Sequence, residues 1–542
     1  MKRIKFINIC SFLIALCIMT SFSGCGKTHT ASDGEYGTDS GTIWSEQTSD
    51  GNLSDGSDGG EIPGSSDAGN SSTNVGSGNG DNGTDSKNYT VSVGFSAGEK
   101  TEFEKLIPVF QKKYPNIKVT AQQISTSLLD ITPKWTALAA ANKMPDVVIG
   151  SENFGYIMQQ GWAYPLDRLL NSDKDKSDVL EMGLSRYTYG GNLYALPYRL
   201  QFNGLVLNLD LLNEINEDKP DYNWTIDEFI RLAKKATTPK YSGINYIINT
   251  SNPSYSMDIK LMNACLPSGY EQFGYSMANK NFDLKQNNAW VESINLIKEL
   301  RSVKGLVSDE LKDPSLTSQG KVDDYDKKFG KNSDAYVSGK VLFGTSDSWN
   351  MSWWRTFKFN YDFYPIPTSK NIEQRIQTHV DFVFISSSVS EEKASAAFKL
   401  ARFLSYDEDG CISRIESCLS SEKDQGSFRL YLPATQNKKV IERFCSEKVF
   451  PEGMKYMLKQ VVENPEQTLV ADTDKIVPDF WQNVDQYRTQ ATEKVNSGTD
   501  PSSLVNDMQS KINSAMKTTQ DYLDKKVAEN LKKFYETHPN EK

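Results

Sequence analysis

From Tyr89 to Gly150 the chain alternates strand-like and helix-like segments so regularly that few folds can accommodate it. "YTVSVGFSAG" alternates apolar and polar residues and ends in a glycine loop. "EKTEFEKLIPVFQKKYP" sets Phe103, Leu106, Ile107 and Phe110 at helical spacing, and Pro108 is expected to kink that helix. "NIKVTAQQI" reads as a second strand, Pro133 opens a second helix in "PKWTALAAANKM", and "DVVIG" is a third, apolar strand. Strand, helix, strand, helix, strand predicts a sheet with parallel members and helices on its faces, an α/β fold.

New material then repeats the pattern. Thr225-Ile226-Asp227-Glu228 is a capping box that opens a helix with Phe229, Leu232 and Ala236 on one face. "ASAAFKLARFLS" (394–405) is amphipathic and follows a start signal at Ser388 to Glu391. Leu504, Met508, Ile512 and Met516 recur every four residues, a stripe that predicts packing rather than a partner surface. About 450 residues in this part suffice for two or three domains. The expected architecture is α/β in two lobes, with a helical C-terminal portion.

What precedes Tyr89 is of another kind. Lys2, Arg3 and Lys5 form a positive n-region, and Ile7 to Met19 an apolar stretch too short for a stable membrane span. Phe22-Ser23-Gly24-Cys25 resembles a bacterial lipobox, whose cysteine is lipid-modified and becomes the new N-terminus after cleavage. The other reading is an ordinary signal with an accidental cysteine. A diacylglyceryl thioether carries two acyl chains, which is what stable anchoring needs at about 0.8 kcal/mol per buried methylene. Residues 1–24 are thus expected to be a lipoprotein signal, and 25–88 a lipidated Cys25 followed by a tether. The tether, with "GNLSDGSDGGEIPGSSDAGNSSTNVGSGNGDNG", cannot bury enough apolar surface to fold. As a coil it would span about 45 Å on average. It holds eleven acidic residues and two lysines, so most of the net charge of −10 resides there and the rest of the chain is close to neutral. No basic stripe or nucleic-acid module is present, and no nucleic-acid partner is expected. The expected location is the extracytoplasmic face of the cell membrane, held by lipid.

Catalytic chemistry is scarce. Of three histidines, His29 lies in the tether, His538 near the end, and only His379 inside the fold, which argues against a Ser-His-Asp triad or a multi-histidine metal site. No GxxxxGK[ST] or H-E-x-x-H occurs. "NSDKDKSD" (171–178) has acidic spacing, but Lys176 and Met182 occupy the positions where a calcium loop needs glycine and glutamate, so a solvated loop is expected. A carboxylate pair for glycoside hydrolysis depends on separation in space, and nothing marks one pair above another. Cys265, Cys411, Cys418 and Cys445 are too sparse for a disulfide scaffold, and Cys411 and Cys418 lie two helical turns apart. No cofactor and no metal are expected.

Aromatic and amide chemistry remains. "GTSDSWNMSWWRTF" gathers Trp349, Trp353 and Trp354 with Asn350, "PYRLQFNG" joins Tyr198, Arg199, Gln201 and Asn203, and "SNPSYSMD" presents Tyr255. A sugar offers apolar C–H faces and a rim of hydroxyls, so it takes a flat ring to stack on and planar amides or carboxylates for paired hydrogen bonds. The alternative is that these tryptophans are inter-helix core.

The ordered pieces "FEKLIPVFQKKYPNIKV", "ALAAANKMPDVVIGSENFGYIMQQGWAYPLD" and "YGGNLYALPYRLQFNGLVLNLDLLNE" resemble the family-1, carbohydrate-type solute-binding proteins of ABC importers. "NWTIDEFIRLAKK", "SGKVLFGTSDSWN" and "YDFYPIP" extend that likeness over about 90 to 520. The resemblance implies a type II periplasmic-binding-protein-like fold: two α/β lobes, a hinge of crossing strands, and a ligand cleft between. Lobe one would be about 90–200 and 362–410, and lobe two about 204–360 and 411–542. Ser151, Glu152 and Asn153 match a ligand-contacting loop; Gln201 and Asn203 match the crossover; Tyr255 and Trp349, with Asn350 beside it, match stacking positions. Val341-Leu342-Phe343 and His379-Val380-Asp381 depart from the family pattern, the latter standing where many members have a Gly-rich ligand-facing turn, and Asp381 is taken as a ligand residue. The implied function is non-enzymatic capture of a sugar or oligosaccharide by a monomer that delivers it to permease subunits. The alternatives are a glycan-binding adhesin and a glycan-processing hydrolase.

Overall fold

The computed structural model describes residues 87–96, 99–125, 131–247, 253–312, 322–421 and 428–542. The expected signal, Cys25 and the tether up to 86 lie outside the described residues.

The predicted alternation is present. Strand β1 (Tyr89–Ser96) runs parallel to β2 (Ile117–Ser125), with Tyr89 opposite Ile117, and parallel to β3 (Val147–Gly150). The helix Lys100–Lys113 buries Phe103, Leu106 and Phe110 and leaves Ile107 only half-buried, and its helical run continues through Pro108. Pro133 sits in the first turn of the helix Ile131–Ala140, where its missing N–H has no intrahelical duty.

Five more strands and a short ninth complete one sheet. They are β4 (Leu196–Asn208), β5 (Ser242–Ile244), β6 (Val341–Asp347), β7 (Tyr361–Pro365), β8 (Ile376–Ile385) and β9 (Thr468–Val470). The order is β2-β1-β3-β8-β4-β6-β5, with β7 also on β4 and β9 on β8. β4 organises the whole. Its first half pairs antiparallel with β8, and its second half lies between β6 and β7. Hydrogen-bonded neighbours and covering helices bury twelve of its thirteen residues, Arg199 excepted. Gly204 marks the crossing: a Cβ there would lie 2.4 Å from the Phe363 ring and 2.6 Å from the Tyr364 carbonyl oxygen, so only glycine lets β7 come this close. The two halves of β4 thus belong to two α/β lobes, as expected.

Helices follow their sequence signals. The Glu228 N–H donates to Thr225 Oγ1 at 3.2 Å, capping the helix Ile226–Ala236 as the Thr-x-x-Glu spacing predicts. The helix Glu408–Ser420 packs on the helix Lys100–Lys113. There Arg414 is sandwiched between the rings of Tyr198 and Tyr431, at 3.7 and 4.0 Å from their centroids. The helix Val505–Thr537 buries Met508, Ile512 and Met516, so the stripe is packing. Asn513 exchanges hydrogen bonds with the backbone of Phe282, and Asn530 donates to the carbonyls of Met158 and Gln159.

One expectation is corrected. The acidic loop 171–178 is not merely solvated: Asp173 lies 2.8 Å from Arg402 Nε, and Asp175 pairs with the same guanidinium. Its carboxylates are spent on an ion-pair knot, and no group able to hold a metal is found among the described residues. His379 to Asp381, noted above as a departure from the family's Gly-rich turn, form the middle of β8 opposite Gln201, Leu200 and Arg199 of β4. Cys265, Cys411 and Cys418 are buried free thiols, and Cys445 is a half-buried one. No described helix is long and apolar enough to cross a membrane.

Candidate ligand-binding cleft

Strand register gathers the candidate residues. In a strand, residues two apart share a face, and in an antiparallel pair directly opposed residues share it too. Arg199, Gln201 and Asn203 therefore form one row on β4. Asp381 stands opposite Arg199 and His379 opposite Gln201 on β8, and Asp347 stands opposite Asn203 on β6. One continuous polar face thus crosses the middle of the sheet, where the two lobes meet. Loops that follow strand ends supply its rim: Ser151 and Glu152 after β3, Ser348 and Trp349 after β6, and Lys475 shortly after β9.

The aromatic side is built from Tyr255 and Trp349, whose ring centroids lie 5.5 Å apart. Trp349 is half-buried and meets the His379 ring edge-on at 5.2 Å and 77°. The three neighbouring tryptophans have three different fates. Trp353 packs on Tyr336 and Phe357, and Trp354 is fully buried against Phe363. The core reading holds for Trp354, and Trp349 stays half-buried beside the polar face.

His379 Nε2 lies 2.7 Å from Asn203 Oδ1, and both residues are buried. Burial, helped by Lys475, Arg186 and Lys260, holds the imidazole well below the ordinary histidine range, so it is neutral. Asn203 Nδ2 has no protein partner. Whichever way the amide is set, one of its two polar atoms faces the imidazole and the other is free for a ligand. Gln201 Oε1 accepts from Ser348 Oγ at 2.9 Å, and Ser348 Oγ in turn accepts from the Phe202 N–H, which fixes the loop bearing Trp349.

The charged side consists of pairs. Arg199 Nε is 2.5 Å from Asp381 Oδ2, and Arg199 Nη1 is 3.5 Å from Glu99 Oε1. Burial pushes the Glu99 carboxyl up while Arg199 opposes it. Lys475 Nζ is 2.8 Å from Glu152 Oε1. Burial works against the Lys475 ammonium, but Glu152, Asp472, Tyr255 and Asp381 together raise its pKa. Lys260 Nζ and Asp347 Oδ1 form a buried pair at 2.6 Å. Behind His379, Asp472 pairs with Arg186 and accepts from the Val380 N–H at 3.1 Å.

Of the expected residues, Glu152, Gln201, Asn203, Tyr255, Trp349 and Asp381 converge here, with Ser151 buried at the end of β3. Two turn elsewhere. Asn153 adopts φ 58° before the helix Phe154–Gln160 and donates to Thr132 Oγ1, and Asn350 reaches back to Ser346 Oγ at 3.4 Å. His379, Glu99, Arg199, Lys260, Asp347 and Lys475 were not among the expected ligand residues. Of these, Arg199, already quoted beside Gln201 and Asn203, and His379, as a rare histidine, carry signals that could have singled them out; His379 is not alone inside the fold, because His538 is buried against Phe534 and Tyr164. A separate cavity, walled by Ile259, Met262, Trp290, Ile297 and Val495, lies away from this polar face and gathers none of its groups.

Two α/β lobes joined by a crossing strand, with rings and buried polar groups converging where they meet, are the architecture of a two-lobed binding protein. Residues 96–409 match the family model of bacterial extracellular solute-binding proteins, and the chain belongs to that family. It is similar in fold to an ABC substrate-binding protein from Listeria monocytogenes in complex with cycloalternan, with 19% identity and a TM-score of 0.54. That match covers 79% of this chain and 99% of the other. A cyclic alpha-maltosyl-1,6-maltose binding protein from Arthrobacter globiformis gives 16% identity and a TM-score of 0.58, covering 79% and 99% of the two chains. UgpB from Mycobacterium tuberculosis, in complex with glycerophosphocholine, gives 15%, 0.53, and 78% and 98%.

Proposed function

We propose that this protein captures a sugar or oligosaccharide between its lobes and delivers it to the permease of an ABC importer, without chemical conversion. The observation that carries this reading is the pairing of the Tyr255 and Trp349 rings with the amides of Gln201 and Asn203 across one face. Rings cover the C–H faces of a pyranose, and buried planar amides address its hydroxyls. Lobe closure around the ligand supplies the state an importer recognises. Two of the fold neighbours named above are described with glycans, which agrees with this reading.

In the same reading, Cys25 carries the lipid anchor, residues 26–88 are a leash, and the protein works as an extracytoplasmic monomer beside its permease. The lobe division is also a proposal, and it departs from the expected bounds by moving β7 from lobe one to lobe two and the helix Glu408–Ser420 to lobe one. β1, β2, β3, β8 and the first half of β4 form lobe one, and the helix Glu408–Ser420 joins them because it packs on the helix Lys100–Lys113. The second half of β4 with β5, β6 and β7 forms lobe two. Calorimetric titration against a panel of oligosaccharides, with product analysis, tests the function. Stoichiometric binding with no products is the expected result; repeated turnover of any glycan would replace it with a hydrolase.

A further inference from the structure

The polar face holds many ions, and all of its cations are committed. Arg199 is shared by Asp381 and Glu99. Lys475 is held by Glu152, Lys260 by Asp347, and Arg186 by Asp472. No described lysine or arginine beside the Tyr255–Trp349–His379 cluster is left over for an incoming anion. Carboxylates, by contrast, are in excess: those five stand against four cations, and Asp474 adds a sixth within electrostatic reach of Tyr255, Lys475 and Glu152. Among the described residues, His379 is the group that could become a cation on protonation, and its burial, with Lys475, Arg186 and Lys260 adding to it, keeps it neutral.

We infer that the cleft is built to admit uncharged glycans and to reject acidic ones, the rejection resting on the absence of an uncommitted cation among the described residues. This deepens the sugar reading above and depends on it. A uronate carboxylate entering here gives up its water and finds no free positive partner, and it must sit near Glu152 or Asp381. It either remains unpaired or takes a cation from a resident carboxylate, and one buried carboxylate is left over in both cases. A neutral ring with the same hydroxyls meets only hydrogen-bonding groups, including the free amide atom of Asn203.

The test uses gluco-, galacto- and manno-oligosaccharides and the same compounds oxidised at C6 to uronates, titrated against the full chain at pH 7. For each neutral compound that binds, its uronate is expected to bind at least a hundredfold more weakly. In Glu152→Gln, which frees the Lys475 ammonium, the gap between each pair is expected to narrow at least tenfold. Equal or tighter binding of uronates by the unaltered protein overturns the charge rule and leaves the sugar reading standing. A gap in Glu152→Gln as wide as in the unaltered protein also overturns it. Failure of every compound in both sets removes the sugar reading, and this inference with it.

Discussion

The two sides of the cleft solve the same problem by different means. One presents rings, Tyr255 and Trp349, which pack on each other, with Trp349 also against His379. The other presents charges, Glu99, Arg199, Asp381, Glu152 and Lys475, every one of them paired. A ring keeps its attraction for a sugar face wherever it is placed. A buried charge keeps the fold intact only while its partner stands beside it. The ring side is therefore expected to govern affinity, and the ion-pair side architecture and selectivity.

The strongest test of that division removes a cation and nothing else. Lys260→Met leaves Asp347 buried without its ammonium, and the fold is expected to lose about 3–5 kcal/mol in urea unfolding. Replacing both partners, with Lys260→Met and Asp347→Leu together, is expected to recover most of that loss. A single variant as stable as the unaltered protein would show that the ion pairs are ornamental and that the contrast between the sides is false.

Next comes Asp474, whose carboxyl is pushed up to about 6 by burial, with Lys475 opposing. Its native pKa lies above the ordinary value of 3.8, so the folded state binds the proton more tightly than the unfolded state does. Stability from this group is thus highest below about pH 4 and falls as pH rises to about 6. Asp474→Asn is expected to show no gain at pH 4 and a gain on the order of 1–3 kcal/mol at pH 7. A gain that is the same at both pH values would mean that the substitution acts through packing.

On the ring side, Trp349→Ala is expected to weaken oligosaccharide binding by about 1–3 kcal/mol, roughly ten- to a hundredfold, with little change in Tm. Trp354→Ala, five residues away and fully buried, is expected to cost about 3–5 kcal/mol of stability instead. Measuring Tm and Kd on both sharpens the comparison within a single segment. If Trp349→Ala melts early and its folded fraction binds normally, the stacking surface is Tyr255 alone. The smallest effect is expected from deleting residues 26–88: the affinity for soluble ligand should stay within twofold, since a coil contributes no wall to the cleft.

The same contrast explains what could be read from the sequence. Elements announced by local pattern were legible: the alternation of β1, the Thr225 cap, and the Met508–Ile512–Met516 stripe each depend on neighbours within a few positions. Rings were legible as candidates because tryptophan is rare and three of them fall within six residues, though sequence could not say which faced the cleft. Burial decided that: Trp354 went to the core and Trp349 did not. The ion pairs were not legible. Glu152 and Lys475 are separated by most of the fold, and "DTDKI" looks like any polar helix start. His379 carried a clue in its rarity, but its neutrality depends on burial and, after that, on three cations brought from three other parts of the chain.

One irregularity in β4 fixes the parity of the whole site. Arg199 stands opposite Asp381, yet Pro197 stands opposite Phe382, so Tyr198 is an extra residue in the ladder. In a regular ladder running through Tyr198, Pro197 and Arg199 would share a face; with Tyr198 bulged out of the pairing, they face opposite sides. From there on every odd-numbered residue of β4 points to the ligand side and every even one away, as far as Asn203. The bulge works as a counting device. Chain length beyond the bulge, from Arg199 to Asn203, is accordingly less forgiving than composition. Loss of Tyr198 alone would leave Pro197 and Arg199 adjacent and opposite their present partners, whereas loss of Leu200 would put Gln201 and Asn203 on the face opposite to Arg199.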